Sequence, residues 1–223
     1  MKLLLPALGI IAGLAALPVH ADSALDQAIL EIQHQWEHIN YELPDSAKPA
    51  AFEQLEKQEE ALAHQYPTQP EPLIWHGITL SSHAGAKGGL GALGLAKQAR
   101  SQLSAAEKID PSAMQGSIYT SLGTLYYKVP GWPIGFGDND KAEAYLKKAL
   151  QVNPGGIDPN YFYADFLYGK HRYQDAMKFL NRALAAQPRP QRPLADKGRR
   201  HEIEALMARI REEAGESLKS SSR

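Results

Sequence analysis

Eight histidines in a 223-residue chain without cysteine are the first place to look for acid–base or metal chemistry. His34 and His38 share a helix face. Together with His64, His76, His83, His171 and His201, however, they form no H-E-x-x-H or comparably spaced ligand set, and His20 falls in the expected leader. No nucleophile elbow surrounds a serine. The acidic run "GDND" (137–140) lacks the ligand spacing and the terminal bidentate Glu of a helix–loop–helix calcium site, so helix capping is its expected role, with Asp140 and Glu143 as the capping pair. "LSSHAGAKGGLGALGLAKQAR" (80–100) is rich in glycine, but Lys87 precedes the glycines instead of following them as in a phosphate loop. Close helix packing is the expected reason for Gly88, Gly89, Gly91 and Gly94. These patterns predict a noncatalytic protein with no cofactor and no metal.

Recognition chemistry is better represented. In "KVPGWPIGFGDND" (128–140) two prolines stiffen a loop and three glycines permit shapes other residues resist. Trp132, Ile134 and Phe136 are apolar enough that solvent exposure costs them free energy. They are expected either to fold back as a plug or to meet a partner or ligand. Thirteen of the eighteen aromatics lie between Tyr119 and Phe179. From that set Tyr161, Tyr163, Phe166 and Tyr168 are candidates for a groove offering apolar area with hydroxyls, against packing between repeats.

The elements that must carry these residues are helices. Ala, Leu, Glu, Gln and Lys dominate, apolar residues recur at helical spacing, and no segment reads as a strand. Helices are expected at Ser23–Tyr41, over 50–66, and near 71–84, 89–109, 113–128, 140–151, 159–169, 171–186 and 195–214. Before them, "MKLLLPALGIIAGLAALPVHADS" has one lysine, a short apolar run and small residues at Val19 and Ala21. This predicts a signal peptide cleaved after Ala21, a single domain over 22–214 and a polar flexible tail over 215–223. Without a cysteine there is no lipid acceptor, so a soluble periplasmic protein is expected. Residues 22–169 carry 10 Lys/Arg against 18 Asp/Glu, and residues 170–223 carry 13 against 7. That polarity can orient a protein or an anionic membrane. Export and the absence of a binding motif argue against nucleic acid.

An internal repeat organises the helices. "KAEAYLKKALQVNP" (141–154) aligns with "DAMKFLNRALAAQP" (175–188) at an offset of 34, and "QARSQLSAAEKIDP" (98–111) keeps the same internal spacing 43 residues before the middle copy. The pattern A-x-x-x-L-x-x-A-x-x-x-x-P resembles the tetratricopeptide repeat, with small residues where two helices cross and a proline after the second. Stacked pairs would form an all-α solenoid with a concave face; a four-helix bundle is the competing arrangement. In the middle unit Gly123 stands nineteen residues before Ala142, where an uninterrupted repeat has twelve. Seven residues are therefore inserted in the interhelix turn that holds "PGWPIGFG".

At a finer level the region from about Glu71 to Leu206 resembles the T-component family of TRAP transporters, through Trp75, "AEKIDP", "KVPGWPIGFGD", "NPGGIDPNYFYADFLYGKHRYQDAMKFLNRAL" and "ADKGRR". That resemblance implies an all-helical periplasmic scaffold that contacts an envelope protein, such as a substrate-binding protein, around an apolar channel. It also implies that a homo-oligomer is compatible with the family. The leading expectation is protein recognition; the alternative is a periplasmic binding module for a hydrophobic small molecule in an aromatic-lined helical cavity.

Overall fold

The computed structural model describes residues 19–221. The expected leader, 1–21, lies almost wholly outside them. Nine helices are found among the described residues: α1 Val19–Tyr41, α2 Lys48–Gln65, α3 Pro70–Lys87, α4 Gly89–Ile109, α5 Ala113–Lys128, α6 Asn139–Val152, α7 Ile157–Gly169, α8 Tyr173–Leu184 and α9 Pro193–Ser221. No β-strand is present among those residues; a single isolated bridge joins Gly131 to Gly137. Helix α9 continues to Ser221, beyond the 195–214 expected from sequence.

The fold is a solenoid of antiparallel pairs, α3 with α4, α5 with α6 and α7 with α8. The repeat supplies the crossings. Ala99, Leu103 and Ala106 of α4, Ala142, Leu146 and Ala149 of α6, and Ala176, Leu180 and Ala183 of α8 are all fully buried. Alanine lets the axes approach and leucine fills the space beside them. On the facing helices a Cβ at Gly77 would lie 2.6 Å from Leu103 Cγ, and one at Gly123 would lie 2.7 Å from Leu146 Cγ. The third pair tolerates Ala164 at the matching place, also fully buried.

The small-residue spacing shrinks along the chain, and the structure shows where the surplus goes. In the α5–α6 unit it forms the ten-residue connection 129–138, against three residues, 170–172, between α7 and α8. In the first unit it lengthens the helices instead, since α3 and α4 are separated only by Gly88. The glycine-rich stretch is thus the tip of a long hairpin, and the expected close packing of its glycines is corrected. Gly88 and Gly89 turn the chain at φ 62° and 59°, Gly91 meets only the Lys87 side chain, and Gly94 has no neighbour within 4 Å.

The solenoid curls until its first and last helices meet. Arg192, immediately before α9, donates from Nε to Glu37 Oε1 of α1 at 2.5 Å, and His34 Nε2 donates to the Gln191 carbonyl at 2.7 Å. A Cβ at Gly198 would lie 2.3 Å from Tyr41 ring carbons, so α9 passes α1 at a distance only glycine allows. The "DKGRR" motif is this closure. Asp196 accepts from Arg189, Gly198 admits Tyr41, Arg199 donates to Asp158, and Arg200 caps α8 at the carbonyls of Leu184 and Ala186.

Candidate functional site

The long connection between α5 and α6 is held by its own backbone. Gly137 N–H donates to the Pro130 carbonyl at 2.9 Å, Gly135 N–H to Gly131 at 3.1 Å, and Asp138 N–H to Tyr126 at 2.8 Å. A side chain at Gly135 would collide with the Pro130 carbonyl at 2.4 Å, and one at Gly137 with the Val129 carbonyl at 1.9 Å. Asp138, not Asp140, caps α6, accepting from the N–H groups of Asp140 and Lys141. Backbone hydrogen bonds and this cap give the loop one shape.

That shape splits the three apolar candidates. Phe136 turns inward, edge-to-face with Tyr126 at 5.7 Å and under the Arg100 guanidinium at 4.0 Å. Trp132 is 90% exposed and Ile134 67% exposed. The plug therefore consists of Phe136 alone, while Trp132 and Ile134 stand in solvent on a rigid base.

The tyrosine-rich helix α7 divides similarly. Tyr163 and Phe166 are buried, stacked on each other at 6.2 Å, and Tyr163 meets Phe179 edge-on at 4.7 Å. Tyr161 is half-buried, with the Arg199 guanidinium 4.5 Å above its ring. Half-buried Tyr168 donates to Glu213 Oε1 at 2.5 Å, tying α7 to α9. These four serve mainly to pack helices together and are not brought together with Trp132. Nor do the helix α1 histidines make a ligand pair: His34 is engaged with Gln191, and His38 Nδ1 lies 2.7 Å from Glu42 Oε2.

Inside the ring lies a cavity of about 1080 Å³, which no pattern in the sequence located. Its walls are mostly apolar, with Trp36, Trp75, Ile78, Leu93, Ala96 and Phe162 among them, and Pro130 and Ile134 of the long loop stand at its edge. Ser81 and Ser82 of α3 and Ser117, Thr120 and Thr124 of α5 add hydroxyls, each donating its proton to a carbonyl of its own helix. Met114 and Gln115, at φ 50° and 53°, enter the wall through a left-handed turn that breaks α5 near its start. Such a conformation costs roughly 1–2 kcal/mol per non-glycine residue.

Arg189, Arg192, Arg199 and Asp158 form the polar end of the cavity. Asp158 accepts from Arg189 and Arg199 at 2.7 and 2.8 Å, Arg189 also reaches Asp196, and Arg199 also reaches Glu202. Burial alone would raise the Asp158 carboxyl, but Arg199 and Arg189 together outweigh it and hold the group well below the usual carboxylate range. Burial pushes the Tyr41 hydroxyl, also in the wall, up to about 12, so it remains a donor at neutral pH.

Residues 134–197 match the tetratricopeptide repeat family. The match spans the loop tip, α6, α7, α8 and the start of α9. Tetratricopeptide repeats are in general noncatalytic scaffolds for protein–protein contact. Among solved structures, the chain is similar to TTC0263, a thermophilic TPR protein of Thermus thermophilus, at 18% identity. That similarity covers 82% of this chain and 99% of the other, with a TM-score of 0.43. It is also similar to pilF of Pseudomonas aeruginosa, at 14% identity over 85% of this chain and 89% of the other, with a TM-score of 0.36. At these values neither likeness carries a functional argument. No curated protein matches the chain.

Proposed function

We propose that the protein is an exported, noncatalytic adaptor that docks an envelope protein on the rim formed by Trp132 and Ile134. The observation that carries this reading is the exposure of a tryptophan and an isoleucine on a loop whose backbone is already ordered. A rigid aromatic anchor loses little conformational freedom on binding, and tryptophan is the residue most enriched among interface hot spots. The leader-like first 21 residues support a periplasmic setting. The resemblance to the T-component family makes a transporter's substrate-binding protein the class of partner to test first. Crosslinked affinity capture from the native envelope, with Trp132→Ala beside the intact protein, tests the reading. A partner enriched by the intact protein and lost with the variant supports it. Equal recovery with both, or no consistent partner, counts against it.

The cavity favours a second reading, a module that binds a hydrophobic small molecule. A largely apolar hollow with a few convergent polar groups is the usual form of a small-molecule site.

A further inference from the structure

The polar end of the cavity restricts what can bind, an inference that rests on the second reading above. Three guanidiniums, of Arg189, Arg192 and Arg199, face four carboxylates, of Asp158, Asp196, Glu37 and Glu202. Burial lifts the Glu202 carboxyl more than Arg199 lowers it, so Glu202 takes a proton more readily than an ordinary glutamate. Even with Glu202 neutral, positive charge is balanced and never in excess. Lys128, the remaining cation of the wall, is paired with Asp165 at 2.7 Å. An incoming anion would therefore lose hydration without meeting a net positive charge.

Hydrogen-bonding capacity is left over all the same. Each guanidinium is held by carboxylates, yet among the described residues Nη1 and Nη2 of Arg192 and Nη2 of Arg189 and of Arg199 have no hydrogen-bond partner. None of these nitrogens is sealed from solvent. The hydroxyl row of α5 has spent its protons on helix carbonyls and presents lone pairs. The site offers fixed donors at one end, acceptors along one wall and apolar surface elsewhere.

The geometry points to an uncharged amphiphile as the ligand: an apolar tail along the Trp36, Ile78 and Leu93 walls, with a neutral, oxygen-rich head of the glycerol-ester type accepting from the spare guanidinium N–H groups. A fatty acid of the same tail length is the wrong ligand, because its carboxylate adds negative charge to a cluster already neutral or negative. Such discrimination works through the penalty on the wrong head as much as the contacts to the right one.

The test uses the delipidated protein, with 1-monopalmitoylglycerol and palmitate each below its micellar concentration at pH 7.5. The glyceride should raise Tm by roughly 5–11 °C at about 100-fold its Kd, and palmitate should bind at least about tenfold more weakly. Gly85→Phe places a ring in the cavity from a position where a new Cβ meets nothing within 4 Å, and it should weaken the glyceride shift. Ser121→Lys adds an unpaired cation to the wall without breaking an existing ion pair and should move the preference toward palmitate by at least about tenfold. Palmitate binding as tightly as the glyceride, or an unchanged ratio in a folded Ser121→Lys variant, overturns the uncharged head while leaving the cavity reading standing. No shift with either lipid, or an undiminished shift in Gly85→Phe, overturns both. An uncharged ten-residue peptide that binds in place of the glyceride overturns the lipid assignment.

Discussion

Arg192→Met should open the ring, and the structure sets the size of the effect. The Glu37 side chain is 2% exposed and that of Arg192 is 16% exposed, and the two join α1 to α9 across 155 residues of sequence. Removing Arg192 leaves Glu37 buried with only the Ala195 N–H, at 3.4 Å, as a partner. Breaking one side of a buried pair costs about 3–5 kcal/mol. Loss of the guanidinium from its place 5.1 Å above the Trp75 ring adds about 0.5–2 kcal/mol. For a chain of this size the first figure alone corresponds to a fall in Tm of roughly 6–20 °C. Glu37→Met should cost a comparable amount, whereas the double variant should cost much less than the sum of the two, because no charge is then left unpaired. Chemical denaturation of the four proteins in a double-mutant cycle measures this. Two single changes each below about 1 kcal/mol, or strictly additive losses, would refute the claim that this pair closes the solenoid.

Other consequences can be checked independently. Gly123→Ala forces a Cβ to 2.7 Å from Leu146 Cγ and should destabilise by about 1–3 kcal/mol in urea unfolding. Gly85→Ala meets open space within a helix and should stabilise by about 0.5–1 kcal/mol. Glu59 is buried with Oε2 unpartnered, and burial, only partly offset by the Thr79 hydroxyl, raises its carboxyl well above the usual range. A raised folded-state value means that the group favours folding at pH below its unfolded value and opposes it as pH rises above that value. Glu59→Gln keeps the acceptor for Thr79 and should become progressively more stable than the native protein from about pH 4.5 upward. A stability difference independent of pH would show that Glu59 is ionised in the folded state.

Much of the architecture is written locally. The nine alanines and leucines of the three repeats are the fully buried residues at the helix crossings, because their spacing of three and four residues places them on one helix face. The seven extra residues before α6 are equally visible, since Gly123 and Ala142 stand too far apart for an ordinary turn. What sequence could not resolve is direction. Trp132, Ile134 and Phe136 alternate along one short loop, and only its folded path, fixed by the Gly137-to-Pro130 and Asp138-to-Tyr126 hydrogen bonds, sends Phe136 inward and the other two outward. The place and lining of the cavity were hidden for a different reason. The cavity exists because Glu37 meets Arg192 and Tyr41 meets Gly198, contacts between opposite ends of the chain that no local spacing encodes. "DKGRR" was visible as an unusual motif, but four of its residues act on four different partners, so its meaning lies in the tertiary structure.

The proposal that the rim loop is a recognition anchor is tested most directly by calorimetric titration of the captured partner into the intact protein and into Trp132→Ala. A 90% exposed side chain contributes little to folding, so the variant should unfold within about 0.5 kcal/mol of the native protein. If Trp132 is a hot spot, Kd should rise by about 30-fold or more. An unchanged Kd in a fully folded Trp132→Ala variant would contradict the account.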